Sequence, residues 1–90
     1  MTPLYRPRKY ELVAVHWVDA QHDAEYDGTA EGYTPSLASL EDVGFFVTRK
    51  NGMIVLASCI ERESGTVRFL VTIPTKLVSS IETREPKEVA

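Results

Sequence analysis

A run of alternating acidic residues before a glycine is the segment of this sequence best suited to hold a cation. The hexapeptide DAEYDG of residues 23–28 places carboxylates at Asp23, Glu25 and Asp27, which match the first oxygen ligands of a calcium loop. The twelfth position of such a loop requires a bidentate glutamate and is Thr34 here. We therefore interpret the segment as a solvated acidic loop and expect neither a metal nor another cofactor.

The histidines and the single cysteine are the other candidates for chemistry. His16 and His22 lie near Asp19 and Asp23, and imidazole with carboxylate suits zinc or iron, but no convincing third ligand is present. We expect a half-buried His16 with satisfied ring nitrogens. Strand alternation predicts Cys59 in the core, where a nucleophilic thiolate is disfavoured. The sequence also lacks a nucleophile elbow and a phosphate-binding glycine loop, so we expect no enzyme activity.

The elements that must position these side chains are predicted to be five strands. Asn51-Gly52 is a strong signal for a type I′ hairpin turn, and Pro74 ends the strand before it. Ser36 is placed to cap one helical turn over residues 36–40. The predicted strands are residues 9–17, 42–50, 53–62, 66–73 and 79–85, with a long first loop over 18–40, a tight turn at 63–65 and a 3-10 turn at 75–78.

This order predicts an all-β chain, a small five-stranded SH3/Sm-like barrel with a long first loop and a 3-10 turn before the last strand. Ninety residues allow one small domain, which we divide into an extended arm (1–8), the barrel (9–85) and a tail (86–90). The N-terminal residues have no signal-type apolar core, so we expect a cytoplasmic protein. No apolar run reaches the length of a membrane span.

Charge is distributed unevenly along the chain. Residues 11–42 contain eight acids, and no lysine or arginine occurs between Tyr10 and Thr48. The acidic, aromatic loop is a suitable surface for a basic or proline-containing protein segment. The candidate protein-binding residues are Trp17, Asp19, Asp23, Glu25, Tyr26, Asp27 and Tyr33. The sequence allows two interpretations of Trp17: it either fills one end of the barrel or is exposed for recognition of a partner.

The basic residues support an alternative function, binding of single-stranded RNA or DNA. A stripe of Arg6, Arg8, Lys9, Arg49, Lys50, Arg62, Arg68, Lys76 and Arg84 is possible, and its main candidates are Arg49, Lys50, Arg62, Arg68 and Lys76. The isoelectric point of about 5.3 is low for such a protein. We also expect a homo-oligomer, because an apolar first strand and a short last strand at the sheet edges favour pairing between copies.

Three segments resemble a group of small bacteriophage proteins. They are VHWVDA at 15–20, DVGFFV at 42–47 and TIPTKLVSSI at 72–81. Asp42 stands where the family usually has serine. The resemblance implies an Sm/SH3-type barrel, in some members a ring, in the cytoplasm of the infected bacterial host. It implies a non-enzymatic module that engages a host or phage protein to modulate a host process such as defence. A minor structural component of the virion is the remaining alternative.

Overall fold

Five antiparallel strands form one sheet in a computed structural model of the protein, which describes residues 3–84. The strands are β1 (Leu12–Asp19), β2 (Ala38–Lys50), β3 (Met53–Glu61), β4 (Thr66–Pro74) and β5 (Val78–Thr83), with a 3-10 turn at Thr75–Leu77. Their order in the sheet is β4-β3-β2-β1-β5. The prediction of an all-β fold is therefore confirmed. The sheet is open: β4 and β5 are its two edges and do not pair with each other within the described residues.

The long strand β2 bends the sheet by changing partners along its length. Its first half pairs with β1 and its second half with β3, and a bulge lies between Phe46 and Thr48. At the change of partner Gly44 is buried, and a Cβ there would lie 2.9 Å from the carbonyl oxygen of Ala57 and 3.2 Å from the Cβ of Leu56. Only glycine lets the two strands approach this closely.

The turn between β2 and β3 and the 3-10 turn before β5 both occur where the sequence predicts them. Asn51 and Gly52 have φ angles of 54° and 71°, and the pair Lys50 and Met53 closes the hairpin around them, as a type I′ turn requires. The 3-10 turn follows Pro74 and is fixed to this hairpin, because the Thr75 amide donates to the Gly52 carbonyl oxygen at 2.8 Å. The hairpin and the 3-10 turn therefore lie together at one end of the sheet.

The core is a thin apolar layer on one side of the curved sheet. Its buried members come from all five strands and are Val13, Val15, Phe46, Ile54, Leu56, Ile73 and Ile81. Leu4, Trp17, Val71 and Val78 pack against this layer while remaining partly exposed. The N-terminal arm thus contributes an apolar contact through Leu4, although residues 3–8 adopt no regular secondary structure.

Several predicted boundaries are wrong. β1 begins at Leu12 instead of residue 9, because Tyr10 has a φ of 66° that interrupts an extended strand. Residues 36–40 do not form a helical turn: β2 begins at Ala38, and residues 38–40 pair with the end of β1. Pairing with a neighbouring strand outweighs the local capping signal of Ser36. β1 also lies inside the sheet, between β2 and β5, so it is not an edge.

Cys59 is exposed, which contradicts its predicted place in the core. The core residues of β3 are Ile54 and Leu56, so Cys59 lies on the opposite face of the strand. It also lies beyond Ala57, where the pairing of β3 with β2 ends and only β4 remains beside it. The predicted tail (86–90) and the last residue of the predicted final strand, residue 85, lie outside the described residues. No helix among residues 3–84 is long and apolar enough to cross a membrane.

Candidate functional site

Trp17 lies near the end of β1 and is held by a hydrogen bond to a residue of β2. Its side chain is half-buried against the core, and its Nε1 donates a hydrogen bond of 2.7 Å to Oδ2 of Asp42 on β2. Together with His16 and Leu40 it lines a shallow cavity of about 380 Å³. The Trp17 side chain therefore packs against the core and is also partly exposed, so it has features of both interpretations, a core residue and an exposed recognition residue.

The acidic loop, residues 19–33, is shaped by turns of its own. The Tyr26 amide donates to the Asp23 carbonyl oxygen at 3.3 Å, and the Gly32 amide donates to that of Thr29 at 3.2 Å. The Tyr26 hydroxyl also donates to the Thr29 carbonyl oxygen at 2.5 Å. The rings of Tyr26 and Tyr33 pack edge to face with centroids 4.9 Å apart, an arrangement that favours a defined loop shape.

The carboxylates of the acidic loop face solvent. The exposed acids are Asp19, Asp23, Glu25, Asp27 and Glu31. Asp19 accepts a hydrogen bond of 2.8 Å from the Ala20 amide. Burial, followed by the hydrogen bond and the charge of Asp23, raises the pKa of Tyr33. No lysine or arginine within residues 3–84 forms an ion pair with these acids, so the loop presents an uncompensated negative surface.

A polar cluster on β1, β2 and β5 was not predicted. Nδ1 of His16 lies 3.5 Å from Glu41, and its Nε2 lies 3.6 Å from Glu82. Arg84 is 3.6 Å from Glu41 and 3.0 Å from Glu82. The Arg84 hydrogen bond, followed by the charge of His16, lowers the pKa of Glu82. His16 is half-buried as expected, and the nearest acceptor to its buried Nε2 is the Glu82 carboxylate, which lies beyond hydrogen-bond distance.

These residues do not form a metal centre. His22 is exposed in the acidic loop. Among the described residues, no three His, Cys, Asp or Glu side chains are grouped to hold a metal ion. The sequence signal for the cluster is weak, because its members are distant along the chain and are brought together only by strand register.

The five main candidates among the predicted basic residues lie in two separate regions of the surface, and Arg84 belongs to the cluster around His16. Arg62 follows β3 and lies 5.9 Å from the centroid of the Phe45 ring. Arg68 on β4 is 4.0 Å from Glu61. Arg49, by contrast, lies near the opposite end of β3, where it pairs with Ile54. The predicted basic residues therefore do not form one continuous stripe.

The second basic place is a groove between the N-terminal arm and the 3-10 turn. We call it the arm groove; it has a volume of about 540 Å³ and is lined by Pro3, Leu4, Arg6, Arg49, Thr75, Lys76, Val78 and Ser79. Lys50 is next to Arg49 at the exposed end of β2. Arg6 and Arg49 also line a neighbouring groove of about 510 Å³ beside Phe46. None of the residues lining the arm groove is acidic.

No protein-family model, curated protein or solved structure matches the chain.

Proposed function

We propose that the protein is a non-enzymatic binding module that captures a positively charged segment of a protein partner on its acidic loop. The observation that carries this proposal is the uncompensated charge of that loop: five exposed carboxylates without an ion-pair partner among residues 3–84. A concentrated negative surface accelerates and orients the encounter with a basic partner. The turns and the Tyr26–Tyr33 contact reduce the entropy that binding must remove.

The same proposal includes assembly of the protein with copies of itself through the sheet edges β4 and β5. On the edge strand β4 the apolar side chains of Phe69 and Leu70 are 77% and 55% exposed. Natural edge strands are usually protected by charged residues or covered by another segment. Burial of these two side chains against a second copy would remove apolar surface from water.

The resemblance to small bacteriophage proteins extends the proposal to a biological setting. In that setting the module acts in the cytoplasm of the infected bacterial host, where it engages a host or phage protein and modulates a host process such as defence. The supporting features are the three segments at 15–20, 42–47 and 72–81. Pairing of edges between copies would present several acidic loops on one assembly and raise the effective affinity for a partner with repeated basic segments.

A peptide-binding experiment tests the acidic loop. A fluorescent peptide rich in lysine and arginine is titrated with the protein, with the Glu25→Gln/Asp27→Asn variant and with a control, Glu61→Gln/Glu63→Gln. Both variants lose two exposed negative charges. We expect the loop variant to bind at least about fivefold more weakly, since two charge pairs contribute about 0.5 kcal/mol each, and the control to bind as the unmodified protein does. Equal weakening by both variants would refute a role for the loop.

Light scattering after size-exclusion chromatography tests the assembly. We expect a discrete multimer that Phe69→Asn/Leu70→Thr converts to a smaller species. Val43→Thr is the control, because Val43 is 51% exposed but lies on the interior strand β2. A monomer at every concentration would refute assembly. A multimer that binds no basic peptide would favour the structural role in a virion.

A further inference from the structure

The arm groove combines the features of a binding site for a small anion. Arg6, Arg49 and Lys76 line it together, and none of the three forms an ion pair with a carboxylate of residues 3–84. Cations that share a cavity repel one another, so an anionic ligand would relieve their mutual repulsion. Its volume of about 540 Å³ is within the range of small-molecule sites.

Both walls of the arm groove are fixed by hydrogen bonds. On one side the Tyr5 hydroxyl lies 2.8 and 2.9 Å from the two carboxylate oxygens of Glu11, and the Arg8 amide donates to the same carboxylate at 3.0 Å. On the other side the Thr75 amide bonds to the Gly52 carbonyl oxygen. The backbone on both sides of the groove is therefore held in place before a ligand binds, which reduces the entropy that binding must remove.

The polar and apolar groups of the groove define the class of ligand. The charged polar groups are the guanidinium groups of Arg6 and Arg49 and the ammonium group of Lys76. Leu4 and Val78 supply apolar surface beside the cations. A phosphoryl group satisfies several donors at once, and arginine binds it in a bidentate manner.

We propose that the arm groove binds a small phosphorylated molecule, with the phosphoryl group among Arg6, Arg49 and Lys76 and an apolar part against Leu4 and Val78. A nucleic-acid strand offers the same phosphoryl chemistry. The small ligand is favoured because the chain has a net charge of −3 and an isoelectric point of about 5.3, which oppose the approach of a long polyanion. This site is separate from the acidic loop and does not depend on it.

The test is a titration of isotope-labelled protein followed by amide chemical shifts, with four probes: pyrophosphate, adenosine monophosphate, adenosine and a short oligothymidylate. We expect pyrophosphate and adenosine monophosphate to shift the amides of Leu4, Thr75, Lys76 and Val78, and adenosine alone to shift none of them. Binding of adenosine as tight as that of its monophosphate would refute recognition of the phosphoryl group. Binding of oligothymidylate alone would overturn the small ligand and assign the groove to nucleic acid.

Paired variants show whether the groove or the net charge is responsible. Arg49→Gln/Lys76→Gln should weaken adenosine monophosphate binding at least about tenfold, which equals about 1.4 kcal/mol. The control Arg62→Gln/Arg68→Gln removes the same charge from the far end of β3 and should leave the affinity within about threefold. Equal losses in the two variants would overturn the site. The Glu25→Gln/Asp27→Asn variant should retain phosphate binding, so failure of the acidic-loop proposal is detected separately.

Discussion

Replacement of Gly44 by alanine tests the bend that gives the sheet its shape. A Cβ at this position would lie 2.9 Å from the carbonyl oxygen of Ala57 and 3.2 Å from the Cβ of Leu56. The first contact is with backbone, so neither a rotamer change nor a flexible chain end relieves it. β2 and β3 must separate where β2 passes from one partner strand to the other.

The expected cost follows from two opposing effects. Forcing an additional methyl group into a well-packed region costs about 1–3 kcal/mol. Alanine also restricts the unfolded chain relative to glycine, which stabilises the protein by about 0.4–1 kcal/mol. We therefore expect Gly44→Ala to lower the free energy of unfolding by about 1–2 kcal/mol and the melting temperature by about 4–16 °C.

Thermal and urea unfolding, followed by circular dichroism, measure this change. Gly32→Ala is the matched control, because Gly32 is exposed in the acidic loop and a Cβ there would lie 3.2 and 3.3 Å from the Thr29 and Tyr26 hydroxyl oxygens, which belong to exposed side chains that can move. The unfolded-state effect is the same in both variants, so their difference reports the contact with backbone at Gly44. A Gly44→Ala protein as stable as the Gly32→Ala protein would show that β2 and β3 do not approach as described.

Two further predictions concern single hydrogen-bonding groups. Asp42→Ala removes the acceptor of the Trp17 indole and should lower the free energy of unfolding by about 1–3 kcal/mol; a double-mutant cycle with Trp17→Phe that shows no coupling would contradict this. The Arg8 amide, followed by the Thr83 and Tyr5 hydroxyls, lowers the folded-state pKa of Glu11 below 4.5. The ionised Glu11 carboxylate therefore stabilises the folded state fully above pH 4.5, and this stabilisation is lost as the pH falls through the lowered pKa. Urea unfolding should show that the Glu11→Gln protein is less stable than the unmodified protein above pH 4.5 and that this difference in the free energy of unfolding disappears in acid. A difference that is independent of pH would refute this.

Sequence signals identified the parts of the fold that depend on local backbone chemistry. Asn-Gly is one of few dipeptides that tolerate two positive φ angles, and Asn51 and Gly52 adopt them. The start of β2 depends instead on the end of β1, which a local capping signal at Ser36 does not report. β3 packs the face of Ile54 and Leu56 on the core, and Cys59 lies on the other face. Alternation predicts which residues share a face of a strand, but which face packs on the core is a tertiary property.

The two candidate sites also differ in how far the sequence alone could predict them. The acidic loop is continuous in sequence, so composition alone identified it. The arm groove brings Arg6, Arg49 and Lys76 together from three distant segments. Its geometry depends on the anchoring of the arm by Glu11 and on the hydrogen bond between Thr75 and Gly52. A count of basic residues cannot distinguish Arg49, at this end of β3, from Arg68 at the other.

The two proposed surfaces approach each other across β1 and β5. Val78 of the arm groove pairs with Trp17 on β1, and the Ser79 hydroxyl donates to the His16 carbonyl oxygen at 3.0 Å. β1 ends two residues after Trp17 at Asp19, where the acidic loop begins. No ion pair within residues 3–84 joins the cations of the groove to the acids of the loop. Each surface therefore keeps its own charge for a ligand of the opposite sign, and one subunit can bind a basic protein segment and a phosphorylated molecule together.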